Sequence, residues 1–384
     1  MRDVAIIGVG LTKVDMHFDK SIRDLFKEAV TKALDDAFNP DIEAAYIGNM
    51  AADEFNNQKN ISSLLVDFSG LNNIPATRIE TGESSGGSAI IAGFNDVASG
   101  LHDFVLVGGV EKMSEVVSTE AESILSLGMF HEYETIQGLS PEGAAALVMR
   151  LYMHRYNVRE EDIALLAQQD HKNAVSNPYA QLRFEVTLES ITKARLIADP
   201  ITLMHCAPLG DGAAALILCP LEKAKKITDT PIHIAGIGQA SDTLGLTQRE
   251  DLLDFKSIRL AADKAYKMAK IKPEEVQVAE IFDSYTIYGL LALEELGFAQ
   301  RGEAANMLRE GSFSKNGAKP VNISGGLKAR GHPIGATGVY QTAEIALTLR
   351  GDAQLKIDST PEIGLAQTLS GAGVNSTVQI LRRV

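Results

Sequence analysis

The chain has 384 residues, 45% of them hydrophobic, enough to bury a large core and too apolar for global disorder. Acidic residues outnumber basic ones, 50 to 36, giving a formal charge of −14. This disfavours nucleic acid as a partner and requires any anion-binding charge to be local. The two cysteines, Cys206 and Cys219, exclude a four-cysteine zinc site and argue against a disulfide framework. With no signal-like start and no apolar run of membrane-spanning length, the sequence predicts a cytoplasmic protein that uses neither membrane nor metal.

Residues 4–10 read as a buried strand ending in a glycine turn. Gly8-x-Gly10 lacks the third glycine that a dinucleotide loop requires. Residues 21–37 form an amphipathic helix, with Ser21 and Asp24 as its opening cap. A second strand covers 45–49. Then comes Glu80-Thr81-Gly82-Glu83-Ser84-Ser85-Gly86-Gly87-Ser88-Ala89, between a strand at 75–79 and a helix to about Ser99. The next strand, 104–107, ends in Gly108-Gly109. Residues 111–200 are expected to be a helical insertion, with helices at 142–156 and 160–174. A strand at 211–218 closes the first half.

The second half repeats the pattern weakly. Strands are expected at 232–236, 277–282, 363–369 and 377–381, and helices at 256–268, 285–296 and from about 337 to 349. A small-residue turn, a helix, a glycine and an apolar strand occur near residue 83 and again near residue 335. Two related halves would bring both helix starts to one shared site.

A strand, a sharp turn and a helix start present Glu83 among free backbone N–H groups. Glu83 is either an acid–base group or a cap for its own helix. Ser84 and Ser85 are nucleophiles only if a base reaches them, and otherwise serve packing and backbone bonds. His332, between glycines and before a proline at a helix mouth, suits a general base or oxyanion donor; the alternative is a histidine satisfied by backbone. Cys206 follows His205, but adjacent side chains in an extended segment diverge, which weakens a nucleophile–base pairing. Cys219 ends an apolar strand and reads as core. Tyr285 and Tyr340 follow candidate loops and are acid–base groups or packing residues. Lys328 and Arg330 meet phosphate or face solvent.

Several stretches together resemble the thiolase superfamily over essentially the whole chain, in the manner of archaeal acetyl-CoA acetyltransferases and sterol-carrier-protein-type thiolases. They are Gly108-Gly109-Val110-Glu111-Lys112-Met113-Ser114, His171-Lys172-Asn173-Ala174 with Asn177-Pro178, Cys206-Ala207-Pro208 with Asp211-Gly212-Ala213-Ala214-Ala215, and Ala240-Ser241-Asp242. The most specific is Pro320-Val321-Asn322-Ile323-Ser324-Gly325-Gly326 running into Gly331-His332-Pro333-Ile334-Gly335-Ala336-Thr337-Gly338. The resemblance implies an α/β thiolase fold of two similar halves in five α-β-α-β-α layers. The halves would be 1–225, with its loop region at about 111–200, and 226–384. It also implies a homodimer or dimer of dimers and an acyl-CoA thioester as substrate or ligand, with no covalently bound cofactor. Ser241, Ser324, Gly325, Lys328 and Arg330 are expected to hold the CoA. Archaeal relatives in isoprenoid and lipid metabolism assemble with 3-hydroxy-3-methylglutaryl-CoA synthase and a zinc-ribbon/OB-fold protein, which are therefore expected partners.

Residue by residue, His332 matches the thiolase histidine. Glu83-Ser84-Ser85-Gly86 aligns with the nucleophile motif, so Glu83 replaces its cysteine. Phe282-Asp283-Ser284-Tyr285 aligns with the loop that holds an oxyanion-hole water, and Phe282 cannot hold one. The loop Leu369-Ser370-Gly371-Ala372-Gly373 has no cysteine. A carboxylate acyl acceptor would yield a reactive anhydride. Three functions follow: an acyltransferase with Glu83, Ser84 or Ser85 in an altered role; a retro-aldolase-type C–C lyase using Glu83, His332, Tyr285 and Tyr340; or a non-catalytic acyl-CoA-binding subunit.

Overall fold

The computed structural model of the protein describes residues 2–353, 357 and 359–384. Nine strands form one mixed sheet. They are β1 (Val4–Leu11), β2 (Ala44–Gly48), β3 (Ala76–Ile79), β4 (Val105–Glu111), β5 (Gly212–Pro220), β6 (Ile232–Ser241), β7 (Val278–Glu280), β8 (Ile363–Ser370) and β9 (Asn375–Arg383). The order across the sheet is β3-β2-β4-β5-β1-β6-β9-β8-β7. The first five of these strands form one blade and the last four another, joined where Ala5 pairs His233 and Ile6 pairs Ile232.

The helices that position the site are α1 (Ile22–Asp36), α2 (Ser85–Ser99), α3 (Pro141–Tyr156), α4 (Glu160–Ala174), α5 (Lys256–Ala269), α6 (Thr286–Glu295) and α7 (Thr337–Arg350). α2 and α7 pack on each other and on strands of both blades, so they form a central layer. α1 covers the outer face of the first blade; α5 and α6 cover that of the second. This is the expected five-layer mixed α/β fold.

Strands buried on both faces read as continuous apolar runs. In β1, Val4, Ile6, Val9 and Leu11 face the central layer, while Ala5 and Ile7 face α1. A bulge between Ile6 and Gly8 shifts the alternation from even to odd positions and keeps the apolar set inside. Cys219 sits in the outer core of the first blade, as its strand position predicts.

Gly8-x-Gly10 serves packing. A Cβ at Gly10 would lie 2.0 Å from the Ala29 carbonyl oxygen, and one at Gly8 2.2 Å from that of Ala33. α1 therefore rests directly on the backbone of β1, and overpacking there would cost about 1–3 kcal/mol. The second blade repeats the device: Gly236 and Gly238 of β6 meet the Ala265 and Ala261 carbonyl oxygens of α5 at 2.3 and 1.9 Å.

The strand expected at 277–282 is shorter. The Ile281 and Phe282 N–H groups donate to Asn322 Oδ1 and Gln367 Oε1, so side chains end the ladder after Glu280. Helices α3 and α4 lie between β4 and β5 as expected for the loop region.

Candidate active site

The turn before α2 is closed by its own serines. Ser84 Oγ donates to the Thr81 carbonyl at 2.7 Å, and Ser85 Oγ donates to the Gly82 carbonyl and accepts the Thr81 N–H. Both serines are buried, and these bonds commit their hydroxyls to the turn. Gly82 turns the chain at φ +65°, and any Cβ there would strike Ser370 Oγ at 2.1 Å. Glu83 is left at the apex, with its side chain 20% exposed.

His332 arrives from the start of α7, 249 residues later. Its Nδ1 lies 2.7 Å from Thr337 Oγ1, and that hydroxyl donates to the Pro333 carbonyl. Thr337 can therefore only accept from Nδ1–H, which turns Nε2 toward Glu83. Nε2 stands 3.4 Å from Glu83 Oε1. A proton on one of the two atoms makes this contact a hydrogen bond; without it, two acceptors would face each other. The other carboxylate oxygen, Oε2, accepts the Gly371 N–H at 2.6 Å. The edge of Phe282 packs against the His332 ring, with centroids 5.3 Å apart.

The two turns can meet because the helix starts touch through glycine. A Cβ at Gly338 would lie 2.3 Å from the Gly87 nitrogen, and one at Gly86 2.8 Å from the Gly335 carbonyl oxygen. The runs of small residues at 86–89 and 335–338 make this approach possible.

Glu83 opens into a cleft walled mainly by apolar side chains such as Met50, Leu125, Met129, Leu244, Leu246 and Val374. Its polar lining includes Glu134, Tyr285, Tyr288 and Ser370. The Tyr285 phenol donates to Glu142 Oε1 at 3.3 Å. Burial, reinforced by the Glu142 charge, holds that phenol well above its usual pKa, so it stays protonated.

Other expected site residues lie elsewhere. Tyr340 is fully buried in the central layer; its OH donates to the Thr12 carbonyl at 2.9 Å and burial raises its pKa. Lys328 and Arg330 are interior groups and do not face solvent. Lys328 Nζ donates to the Cys206 carbonyl at 2.7 Å, and burial lowers its pKa to about 8. Arg330 lies over the Tyr340 ring, 4.9 Å from its centroid. Ser324 Oγ donates to Glu280, and Gly325 turns at φ +108° against Ala174. Ser241 is exposed where β6 ends, paired with Asn375. None of these six lines the Glu83 cleft. Cys206 is packed beside Tyr285, and burial pushes its thiol up to about 12, which removes the thiolate a nucleophile needs.

Gly371, Thr337 and Glu142 are site residues that the sequence reading passed over. Only Glu142 carries a signal of its own, as the acid in the first turn of a helix opened by Ser140 and Pro141. Among the described residues no group of three His, Cys, Asp or Glu is arranged for a metal, and no helix is long and apolar enough to cross a membrane.

Two sheet blades around a helix pair, with one site built from a turn of each, define a thiolase-type α/β protein. The chain belongs to the thiolase family: the thiolase N-terminal domain matches residues 4–222 and the thiolase C-terminal domain-like family matches 238–383. It is 42% identical over 385 residues to an acetyl-CoA acetyltransferase of Methanothermobacter thermautotrophicus, covering 100% of both chains. It is 43% identical to an acetyl-CoA acetyltransferase of Methanocaldococcus jannaschii, covering 99% of this chain and 98% of that one. Among solved structures, an Ltp2-ChsH2(DUF35) aldolase superposes with a TM-score of 0.88 at 24% identity, over 99% of this chain and 98% of that chain. Human mitochondrial 3-ketoacyl-CoA thiolase in complex with CoA gives 0.76 at 19%, over 100% and 98%.

Proposed function

We propose that this protein acts on acyl-CoA thioesters and makes or breaks a C–C bond beside the thioester without a covalent acyl-enzyme. The observation that carries this reading is the 3.4 Å contact of Glu83 with His332 at an apolar cleft whose lining contains no thiol. On this reading Glu83 stands where related enzymes carry their cysteine. The substrate class is a 3-hydroxyacyl-CoA. The pair takes the proton of the C3 hydroxyl, the C2–C3 bond breaks, and its electrons pass to C2 and the thioester oxygen as an enolate. A proton returned to C2 yields a shortened acyl-CoA and an aldehyde or ketone. His332, carrying the proton it has accepted, and the Gly371 N–H are the donors available to the enolate oxygen once Glu83 releases them.

The site joins the two halves of the chain, taken as 1–225 and 226–384. One relative is named as a subunit, benzoylsuccinyl-CoA thiolase subunit BbsB of Thauera aromatica, and one structural neighbour carries a two-component name. These names support a partner protein, and the family supports a homodimer. A second reading, acyl transfer of the acetyl-CoA acetyltransferase kind, is favoured by the 42% and 43% identities.

The test compares two assays on the same preparation. A panel of 3-hydroxyacyl-CoA thioesters is followed for carbonyl release, and acetoacetyl-CoA with CoA is followed for thiolysis. We expect carbonyl release that falls by about 10²-fold or more in Glu83→Gln, with no acyl adduct on the protein by mass spectrometry. Thiolysis by the unaltered chain, with an acyl group on the peptide containing Glu83, would overturn the lyase reading in favour of acyl transfer.

A further inference from the structure

We infer that Glu142 is the positioning residue of a second proton-transfer pair in the same cleft, with Tyr285 as its working end. The inference rests on the reading of the Glu83 cleft as a C–C bond-cleaving site and deepens it. The lyase step moves two protons, one off the C3 hydroxyl and one onto C2. The Glu83–His332 pair accounts for the first. Tyr285 is a protonated group available for the second: with Tyr288 it lines the cleft that Glu83 lines, and of the two it is Tyr285 whose phenol has a carboxylate partner.

The geometry points to Glu142 as the group that aims that phenol. Tyr285 Oη donates to Glu142 Oε1 at 3.3 Å. The two residues are 143 positions apart, so their meeting is a product of the fold. Glu142 is fixed by the start of α3, where Ser140 Oγ accepts the Gly143 N–H and Pro141 takes the first helical position. The positive end of the helix lies beneath the carboxylate. Pro141 and Ala144 of this same turn line the cleft, so the pair sits at its wall. The other titratable groups facing Tyr285 are Cys206, Tyr288 and Glu83. Cys206 is neutral with its raised thiol, and Tyr288 packs edge-on from the same helix at 5.2 Å between centroids.

In the step, Tyr285 gives its proton to C2 of the enolate, the phenolate is reprotonated from solvent, and the Glu83–His332 pair releases the C3 hydroxyl proton to solvent. Glu142 accepts the phenol's hydrogen bond and, by disfavouring the phenolate, keeps Tyr285 protonated until the enolate has formed.

The test uses Glu142→Gln, which keeps an acceptor oxygen and removes the charge, with Tyr285→Phe and the double variant. With a 3-hydroxyacyl-CoA turned over by the unaltered chain, Tyr285→Phe is expected to lower kcat by about 10²-fold or more. Glu142→Gln is expected to move the alkaline limb of kcat to lower pH, because the phenol loses a neighbour that opposes its ionisation, with KM within about twofold. The double variant should be no slower than Tyr285→Phe alone. An unmoved alkaline limb, or a change confined to KM, would overturn the assignment. If the unaltered chain turns over no such thioester, the lyase reading fails, and the pair is judged by carbon-13 tyrosine NMR. The Tyr285 resonance, identified by its loss in Tyr285→Phe, should begin to titrate at lower pH in Glu142→Gln. Coincident titration in both proteins would overturn the pairing.

Discussion

Replacing Gly338 with alanine tests whether the glycine contact between the two central helices sets the site. An ideal Cβ at Gly338 lies 2.3 Å from the Gly87 nitrogen, 2.8 Å from Thr368 Oγ1 and 2.9 Å from Gly87 Cα. Ordinary contact begins at 3.4 Å, so α7 must retreat from α2 by about 1.1 Å at this point. Two of the three obstructing atoms are helix backbone and cannot rotate away. Overpacking of this kind costs about 1–3 kcal/mol. The same retreat acts on the Glu83–His332 contact, because Glu83 leads into α2 and His332 into α7. Stretching a 3.4 Å contact by about 1 Å ends it as a hydrogen bond. A shift of that size costs about 10²-fold in turnover.

The sign of the stability change is diagnostic. Gly338 lies in the first turn of α7, and in a helix free of tertiary contact a glycine-to-alanine change stabilises by about 0.5–1 kcal/mol. Urea unfolding followed by circular dichroism, together with the carbonyl-release assay, measures both effects. A Gly338→Ala protein as stable as the parent or more so, with unaltered turnover, would refute the argument that this crossing fixes the site.

Three further outcomes are expected. Thr337→Val removes the acceptor of the His332 Nδ1–H and should destabilise by about 1–3 kcal/mol; nitrogen-15 NMR of His332 should then show the Nδ1–H form no longer dominant, and an unchanged tautomer would count against the Thr337 lock. Tyr340→Phe should leave turnover within about threefold and cost about 1 kcal/mol through the lost bond to Thr12; a large kinetic loss without a stability loss would restore Tyr340 to the chemistry. Lys328 has its pKa lowered from 10.5 to about 8, so between those pH values the unfolded chain binds a proton that the folded chain does not, and stability falls as pH drops through that window. At pH 7 the full penalty of about 3 kcal/mol applies, partly offset by the bond to the Cys206 carbonyl. Lys328→Met should therefore stabilise by about 2 kcal/mol at pH 7, with the gain shrinking as pH rises from 8 to 10.5; a loss of stability at pH 7 would reject this account.

The strands and central helices were legible because two-sided burial and capping leave direct marks on sequence. β1 and β5 are unbroken apolar runs, and Ser21 with Asp24 forms the expected capping box. The positions of Glu83 and His332 were legible for a related reason: a small-residue turn before a helix marks each. Direction and depth were not legible. Lys328 and Arg330 look like a surface basic pair, and only the fold places them inside. Ser84 and Ser85 look free until their hydroxyls are seen to close the turn. The pairing of Tyr285 with Glu142 leaves no local mark, since each residue is ordinary in its own helix start. The internal repeat was read from turns, yet its more telling form is the matched contact of Gly8 and Gly10 with Ala33 and Ala29, and of Gly236 and Gly238 with Ala265 and Ala261. A glycine pair on a strand and an alanine pair on the next helix mean little apart; their spacing acquires meaning only when the strand and helix touch.

These contacts also explain why the site can be small and fixed. α1 and α5 rest on their strands through glycine, so each outer helix lies directly on the backbone of its blade. α2 and α7 touch through glycine between the blades, so the distance between the two turns is set by backbone atoms. Thr337 fixes the His332 ring from within α7, and the β8–β9 turn brings the Gly371 N–H to the far side of Glu83. The carboxylate is thus held from both halves of the chain, by a ring on one side and a backbone donor on the other. Neither bond comes from the turn that carries Glu83. A glutamate that only capped its own helix would accept N–H groups of the following turn, as Ser140 Oγ accepts the N–H of Gly143 at the start of α3. Glu83 makes no such bond among the described contacts of its side chain; both of its partners lie more than two hundred residues away. The carboxylate therefore bonds to His332 and Gly371 and not to the N–H groups of its own helix, which is the arrangement the acid–base reading requires.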